Sequence, residues 1–307
     1  MATGTADLHR HLDGSLRIQT VRALADERGF ALPDPLGFSA NMGLQQALAQ
    51  FAFTLSLLDT AAAVERVARE ICEDAAREGV TTLEIRFAPQ LHGGGLDGLA
   101  TFVDAALRGV EGRAGIVLCG LYGESPEVLE ALVDCAASRP GVVGIDLAGG
   151  PVSHHNFGMA NYRTAFVRAG QLGLGRTVHA GEGRPPAEIR AAIETLEAER
   201  IGHATTILKD PAVVDLARSR GVTIEACITS NMHVGVIASR EDHPLPRWLD
   251  AGLKVCVCTD NTLLSAVEMP AELAVAAKLP GMTPARIEEV VAYGHAAAFK
   301  RREKSAS

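Results

Sequence analysis

Eight short β-rich runs alternate with helical segments along almost the whole chain, and this rhythm limits the possible folds more than any other feature. The runs lie at 6–11, 80–88, 115–122, 142–148, 176–180, 200–204, 222–229 and 254–259. Strands alternating with helices indicate βαβ units and a parallel sheet. The intervening segments carry helix start and stop signals. Thr60 is placed to cap a helix whose Val64, Val67, Ala68, Ile71, Cys72 and Ala75 share one face, and Gly79 is placed to end it. Ser125-Pro126 and Asp210-Pro211 each set a capping residue before a proline at the first helical position, and Gly221 closes the second helix. Ile189, Ala192, Ile193 and Leu196 form a further apolar stripe, best read as core.

Eight such units can close into a barrel or lie open as a doubly wound sheet. The polar residues favour closure. Run after run ends in a chemically active side chain: His9 and His11, Arg86, Asp146, His179 and Glu182, His203, Ser230 and Asn231, Asp260 and Asn261. In a (β/α)8 barrel all strand C-termini converge on one mouth, where active sites sit, whereas an open sheet would scatter its first and last strands. A Gly-x-Gly-x-x-Gly after the first strand is also missing. The expected fold is therefore an α/β TIM barrel, with residues 1–307 as one domain and a charged tail, 300–307, expected to fray. Residues 18–58 are long for a single connection and are expected to supply extra helices over the mouth, where Phe51 and Phe53 can wall a site from water.

Lys plus Arg number 29 and Asp plus Glu 37, a net charge of −8, which disfavours nucleic acid or an anionic membrane as partner. The start of the chain lacks a basic-then-apolar pattern, and no run of about 18 apolar residues is present. The six cysteines include no Cys-x-x-Cys; Cys256 and Cys258 read as small core side chains, and a reducing cytoplasmic location is the expectation.

His9-Arg10-His11 places two imidazoles on one face at the end of the first strand, since residues two apart on a strand point the same way. Two convergent imidazoles are a natural start for a transition-metal site. His179 closes the fifth run, His203 the sixth, and Asp260 follows the eighth. Histidines used for packing have no reason to gather at strand ends, so this set is expected to surround a metal. His92, His154, His155, His233, His243 and His295 lack that placement and read as surface or satisfied core residues. The fourth run ends Asp146-Leu-Ala-Gly149 without a lysine to bridge two ions, so a single ion is expected. Glu182, three residues past His179, is placed to overhang that ion; a carboxyl in a dry pocket has a raised pKa, suited to proton donation near neutrality.

Taken in order, Asp7-Leu-His-Arg-His-Leu-Asp-Gly14, Gly144-Ile-Asp-Leu-Ala-Gly149, His179-Ala-Gly-Glu182, Gly202-His203, Cys227-Ile-Thr-Ser-Asn231 and Thr259-Asp-Asn261 resemble the adenosine deaminase family of the metal-dependent amidohydrolases. The resemblance runs from Asp7 to about Glu268. It implies one Zn2+ per chain on His9, His11, His179 and Asp260. It also implies that Glu182 protonates purine N1, that His203 orients the attacking hydroxide and that Asp260 belongs to the catalytic set. For the substrate it implies that Asp13, beside His11, meets a sugar hydroxyl, that the Gly149 amide donates to purine N3, and that Phe51 walls the pocket. Asn261 stands where the family usually has an aspartate facing N7; its amide can still donate there. Ala204, Ile228 and Gly150-Pro151 also depart from the family pattern.

The implied reaction is hydrolytic deamination of a 6-aminopurine nucleoside, adenosine to inosine plus ammonia. Aminodeoxyfutalosine, with its larger 5′ group, is the main competing substrate, ahead of free adenine and N6-modified nucleotides. An amidohydrolase of another branch would open a cyclic amide or lactone, which needs no N1 proton donor such as Glu182. An inactive nucleoside-binding protein on this scaffold would not need the complete ligand set. Oligomeric state is left open by the sequence.

Overall fold

Each of the eight apolar runs forms a strand in the computed structural model, which describes residues 4–152 and 154–300. The tail expected to fray lies outside the described residues apart from Lys300. The strands are β1 (Thr5–His11), β2 (Val80–Phe87), β3 (Gly115–Leu121), β4 (Val142–Ala148), β5 (Gly175–Ala180), β6 (Arg200–His203), β7 (Thr223–Ala226) and β8 (Lys254–Val257). Their spatial order is their sequence order, and each pairs in parallel with the next.

The cylinder closes at the C-terminal ends of the strands. Asp260, just past β8, forms a parallel bridge with Arg10 of β1. In it the His11 amide donates to the Asp260 carbonyl at 2.7 Å, and the Asp260 amide to the His9 carbonyl at 2.8 Å. Side chains reinforce this closure. Thr259 Oγ1 donates to Asp7 Oδ2 at 2.6 Å, Arg10 Nε donates to the same oxygen at 2.8 Å, and Arg10 Nη2 reaches Glu78 at 2.6 Å.

The helices are α1 (Ile18–Arg28), α2 (Leu44–Leu57), α3 (Ala61–Arg77), α4 (Leu99–Val110), α5 (Pro126–Ala137), α6 (Arg163–Gln171), α7 (Pro186–Glu194), α8 (Pro211–Arg220), α9 (Ile228–His233), α10 (Leu245–Asp250), α11 (Met269–Lys278) and α12 (Pro284–Ala297). The expected extra helices between the first two strands are α1 and α2. All six residues assigned to the apolar face of α3 are buried. Thr60 Oγ1 accepts from the Ala63 amide and Asp210 from the Ala212 amide, as their positions predict. Ser125 occupies the N-cap position of α5 without a side-chain capping bond. Among the described residues, no single helix is long and apolar enough to cross a membrane.

One boundary differs from expectation in a way that matters for the site. The run 222–229 is not strand throughout: β7 stops at Ala226 and the short helix α9 begins at Ile228. The cause is a buried carboxylate on α11. Glu272 accepts the Thr229 amide at 2.8 Å and Thr229 Oγ1 at 2.5 Å, satisfying donors that a strand would have aimed at a neighbour. The turn out of the strand aims Ser230 and Asn231 into the mouth.

Candidate active site

Four donor atoms from the two ends and the middle of the chain meet at the mouth. His11 Nε2 lies 3.2 Å from both His9 Nε2 and His179 Nε2. Asp260 Oδ1 lies 3.5 Å from His9 Nε2 and 3.4 Å from His11 Nε2. Atoms that each lie about 2.0–2.2 Å from one ion can stand no more than about 4.4 Å apart, so these spacings fit a common ion with room for a further ligand. The donor set, three imidazoles and one carboxylate, suits a borderline transition metal such as zinc. The His9, His11 and His179 atoms form a compact metal-capable group on their own. Cys227, fully buried, sits with His9 and Asp260 in a second such group that the sequence did not single out. Gly202 leaves room for this cluster, because a Cβ there would lie 3.0 Å from the His9 ring.

The outward nitrogens of the imidazoles are held from behind. His9 Nδ1 lies 2.6 Å from Glu225 Oε2, and His179 Nδ1 lies 3.0 Å from Asp146 Oδ2. Such carboxylate partners fix the ring orientation and tautomer of a ligating histidine. Both carboxylates are fully buried beneath the site and share one cation: Arg86 Nη1 donates to Asp146 at 2.9 Å and Nη2 to Glu225 at 3.0 Å. Arg200 adds a second, with Nε 2.7 Å from Glu225 and Nη2 2.5 Å from Glu84. Burial pushes the Glu225 carboxyl up, but Arg86 and Arg200 outweigh it and hold Glu225 well below the usual carboxylate range. Burial likewise opposes charge on Asp146, and His179 with Arg86 overrides it in the same direction. Arg86 and Asp146 were visible in the sequence as strand-end residues. Glu225, Arg200 and Glu84 were missed; the available signal was a charge inside an otherwise apolar strand.

Glu182 and His203 complete the mouth. Both are buried, and burial pushes the Glu182 carboxyl up to about 8, with the nearby Asp260 charge adding to the shift. Burial pushes His203 well below its ordinary value, so its ring is neutral. His203 is not among the clustered donors; its ring packs edge-on to His9 at 5.1 Å. Asn231 connects the two groups: its Nδ2 lies 3.0 Å from His203 Nδ1 and 3.5 Å from Glu182 Oε1. Its Oδ1 lies 3.4 Å from buried His243, which gives that histidine a role behind the site as well as in the core. His203, Ala204 and Asp260 all adopt left-handed backbone, with φ of 68°, 48° and 64°. Positive φ at non-glycine residues is uncommon and collects at functional sites.

Two connected chambers open above these groups. The inner one, about 50 Å3, is lined by His11, Glu182, His203, Asp260 and Asn261, with Phe38, Leu48 and Phe51 as apolar walls. The outer one, about 350 Å3, begins at Asp13 and shares His11, Leu48, Phe51 and Gly149 with the inner one. Phe51 thus walls both, whereas Phe53 packs against the core. Asp13 Oδ1 is buried without a hydrogen-bond partner, 4.0 Å from His11 Nδ1, and burial pushes this carboxyl up to about 7. Gly149 has a φ of 75°, which favours glycine and turns the loop after β4 along the boundary of the two chambers. Asn261 Oδ1 is also buried and unpartnered, pressed against Gly14, where a Cβ would collide with it. The six positions singled out as catalytic or metal-binding therefore converge on one mouth, together with Phe51, Asp13, Gly149 and Asn261.

A family model described as adenosine deaminase matches residues 5–307. The chain belongs to the adenosine deaminase family. The adenosine deaminase of Serratia proteamaculans is 34% identical over 312 residues, covering 95% of this chain and 93% of that protein. The crystal structure of an adenine deaminase from Arthrobacter aurescens superposes with a TM-score of 0.85 at 25% identity, over 99% of this chain and 95% of the other. A zinc-bound amidohydrolase from Burkholderia ambifaria shares the fold, with a TM-score of 0.83 at 22% identity over 97% and 86% of the two chains. Members of the adenosine deaminase family are hydrolytic deaminases, so this chain is an enzyme acting on a C–N bond, and its donor cluster is a candidate metal site in keeping with that family.

Proposed function

We propose that this enzyme converts adenosine, or a closely related 6-aminopurine nucleoside, to the 6-oxo product and ammonia at one zinc ion held by His9, His11, His179 and Asp260, in the cytoplasm. The observation that carries the reading is the position of Glu182: a buried carboxyl, protonated near neutrality, beside the four-donor cluster and inside the same chamber. Zinc, when bound, would supply a water whose pKa is brought down to about 7.

The protein's own residues do the rest. Glu182 gives its proton to purine N1, which makes C6 electrophilic and lowers the cost of breaking the ring's aromaticity. The water oxygen adds to C6, one water proton passes to the amino group, which leaves as ammonia, and the second, released from the C6 hydroxyl as the 6-oxo group forms, returns to Glu182. His203, fixed by Asn231 and neutral, orients the incoming water and helps carry its proton. Asp260 completes the catalytic set. The Gly149 amide faces N3 and the Asn261 amide faces N7. Asp13, beside His11, meets a sugar hydroxyl through its unpartnered oxygen. Phe51, Phe38 and Leu48 keep bulk water from the reacting carbon.

The test is ammonia release and the absorbance change on purine deamination, with metal content measured on the same preparation. One zinc per chain and inosine from adenosine are expected. Zinc-loaded protein that instead yields a ring-opened product from cyclic amides would overturn the reading. The chamber beside Asp13 favours a second reading within the same chemistry, a nucleoside carrying a larger 5′ group.

A further inference from the structure

We infer that the outer chamber is a subsite for an uncharged, apolar substituent on the 5′ carbon of the nucleoside, an inference that rests on the nucleoside deaminase reading. The order of groups along the mouth sets the direction. Glu182, Asp260 and Asn261 line only the inner chamber, so the reacting face of the purine lies there. Asp13 lines only the outer one, and its buried, unpartnered Oδ1 marks where a sugar hydroxyl arrives. A nucleoside spanning the two sends its 5′ carbon past Asp13 into the outer chamber.

The chemistry of that chamber selects the substituent. It is lined by Leu48, Leu55, Leu91, Leu121, Tyr122 and Val152, together with the polar Gln45, His154 and His155. Leu48 and Leu91 are among the few large hydrophobic side chains that are exposed in the described residues. Both face one chamber of a substrate cleft, so an apolar ligand group would remove them from water. No Lys or Arg is among the described residues that line the chamber. The Arg184 guanidinium behind the Gly150 turn is occupied, Nε by Glu188 at 2.7 Å and Nη1 by the Pro151 carbonyl at 2.8 Å. A 5′-phosphate would meet no fixed Lys or Arg charge here and only the imidazoles of His154 and His155, whereas a thioether or aryl group would gain from burial against the leucines.

The experiment compares kcat/KM for adenosine, 5′-deoxy-5′-methylthioadenosine and AMP on zinc-loaded enzyme and on Leu91→Asp. Each buried methylene is worth about fourfold, so the thioether is expected to exceed adenosine by about tenfold. AMP is expected to fall about 100-fold or more below adenosine, because its phosphate loses water without a partner. In Leu91→Asp the thioether-to-adenosine ratio should drop to near one. Adenosine processed faster than the thioether, AMP processed as well as either, or an unchanged ratio in Leu91→Asp would overturn the inference while leaving nucleoside deamination intact. Failure to deaminate any of the three would overturn both.

Discussion

His179 presents Nε2 to the proposed metal donors while Asp146 grips Nδ1 from below, and the same division of labour holds for His9 and Glu225. The hydrogen bond from behind fixes which nitrogen carries the proton, so the ligand nitrogen keeps its lone pair. Asp146→Asn preserves shape but loses that charge. We predict a 10- to 100-fold loss of metal affinity, read by competition with a chelator of known affinity; an unchanged affinity would mean that the carboxylate does not tune the ligand. His92 makes a different kind of prediction. It lies between the Phe87 and Phe102 rings, with centroids 5.4 and 5.7 Å away, and burial lowers it to about 4. The folded state therefore favours the neutral ring. Its contribution is complete above the ordinary value of 6.5 and is lost as pH falls toward 4, on the order of 3 kcal/mol in total. Urea unfolding at pH 7.5 and 4.5 should show a smaller pH difference in His92→Gln than in the wild type; equal differences would remove His92 from acid sensitivity. The sequence made the strand-end groups legible because position alone marked them. It hid Glu225 and Arg200, because an inward charge in a strand has meaning only once the opposing strand supplies its partner.

The strands and helices themselves were readable from their apolar periods and caps, and the eight runs correspond to the eight strands. The boundary after β7 was not readable, because it depends on a residue far along the chain. Glu272 ends the strand by capping Thr229, and α9 then carries Asn231 to His203 and Glu182. This makes Glu272 a positioning residue rather than a catalytic one. Glu272→Ala leaves the Thr229 donors buried without an acceptor, a cost of about 1–3 kcal/mol. Because Asn231 holds both Glu182 and His203, we predict that kcat falls about tenfold while metal content and KM change little, a loss within the range attributed to positioned proton transfer. A variant that is less stable but has full kcat would confine Glu272 to holding the fold. Glu182→Gln gives the reference for that comparison: zinc retained, with kcat down by about 10²-fold or more, since the amide cannot supply the proton.

At the scale of the whole molecule, the proposed metal donors and the barrel closure are one construction. His9 and His11 end the first strand, Asp260 follows the last, and the hydrogen bonds that join these segments run between the ligands' own backbones. The convergence was foreseeable because a barrel makes its first and last strands neighbours; the Asp7, Arg10 and Thr259 lock was not, since the motifs that contain these residues do not reveal that their side chains pair with one another. His179 ties the opposite wall to the same point, so an ion bound there cross-links strands contributed by residues 9 to 260. The donor atoms meet only in the folded chain, so metal binding must add to folding stability. At a free metal concentration about 1,000 times the dissociation constant, the gain is about 4 kcal/mol. With an unfolding entropy of about 2.1 cal/mol/K per residue over 307 residues, that corresponds to a Tm change of about 6 °C. Calorimetry should therefore show the chelated enzyme melting several degrees lower, with the loss reversed by added zinc. In His179→Ala the difference between chelated and zinc-supplemented protein should shrink to near zero, because one wall has lost its hold on the ion. If wild-type protein melts at the same temperature with and without zinc, the ion does not bridge the barrel closure, and the common-ion geometry assigned to His9, His11, His179 and Asp260 fails with it.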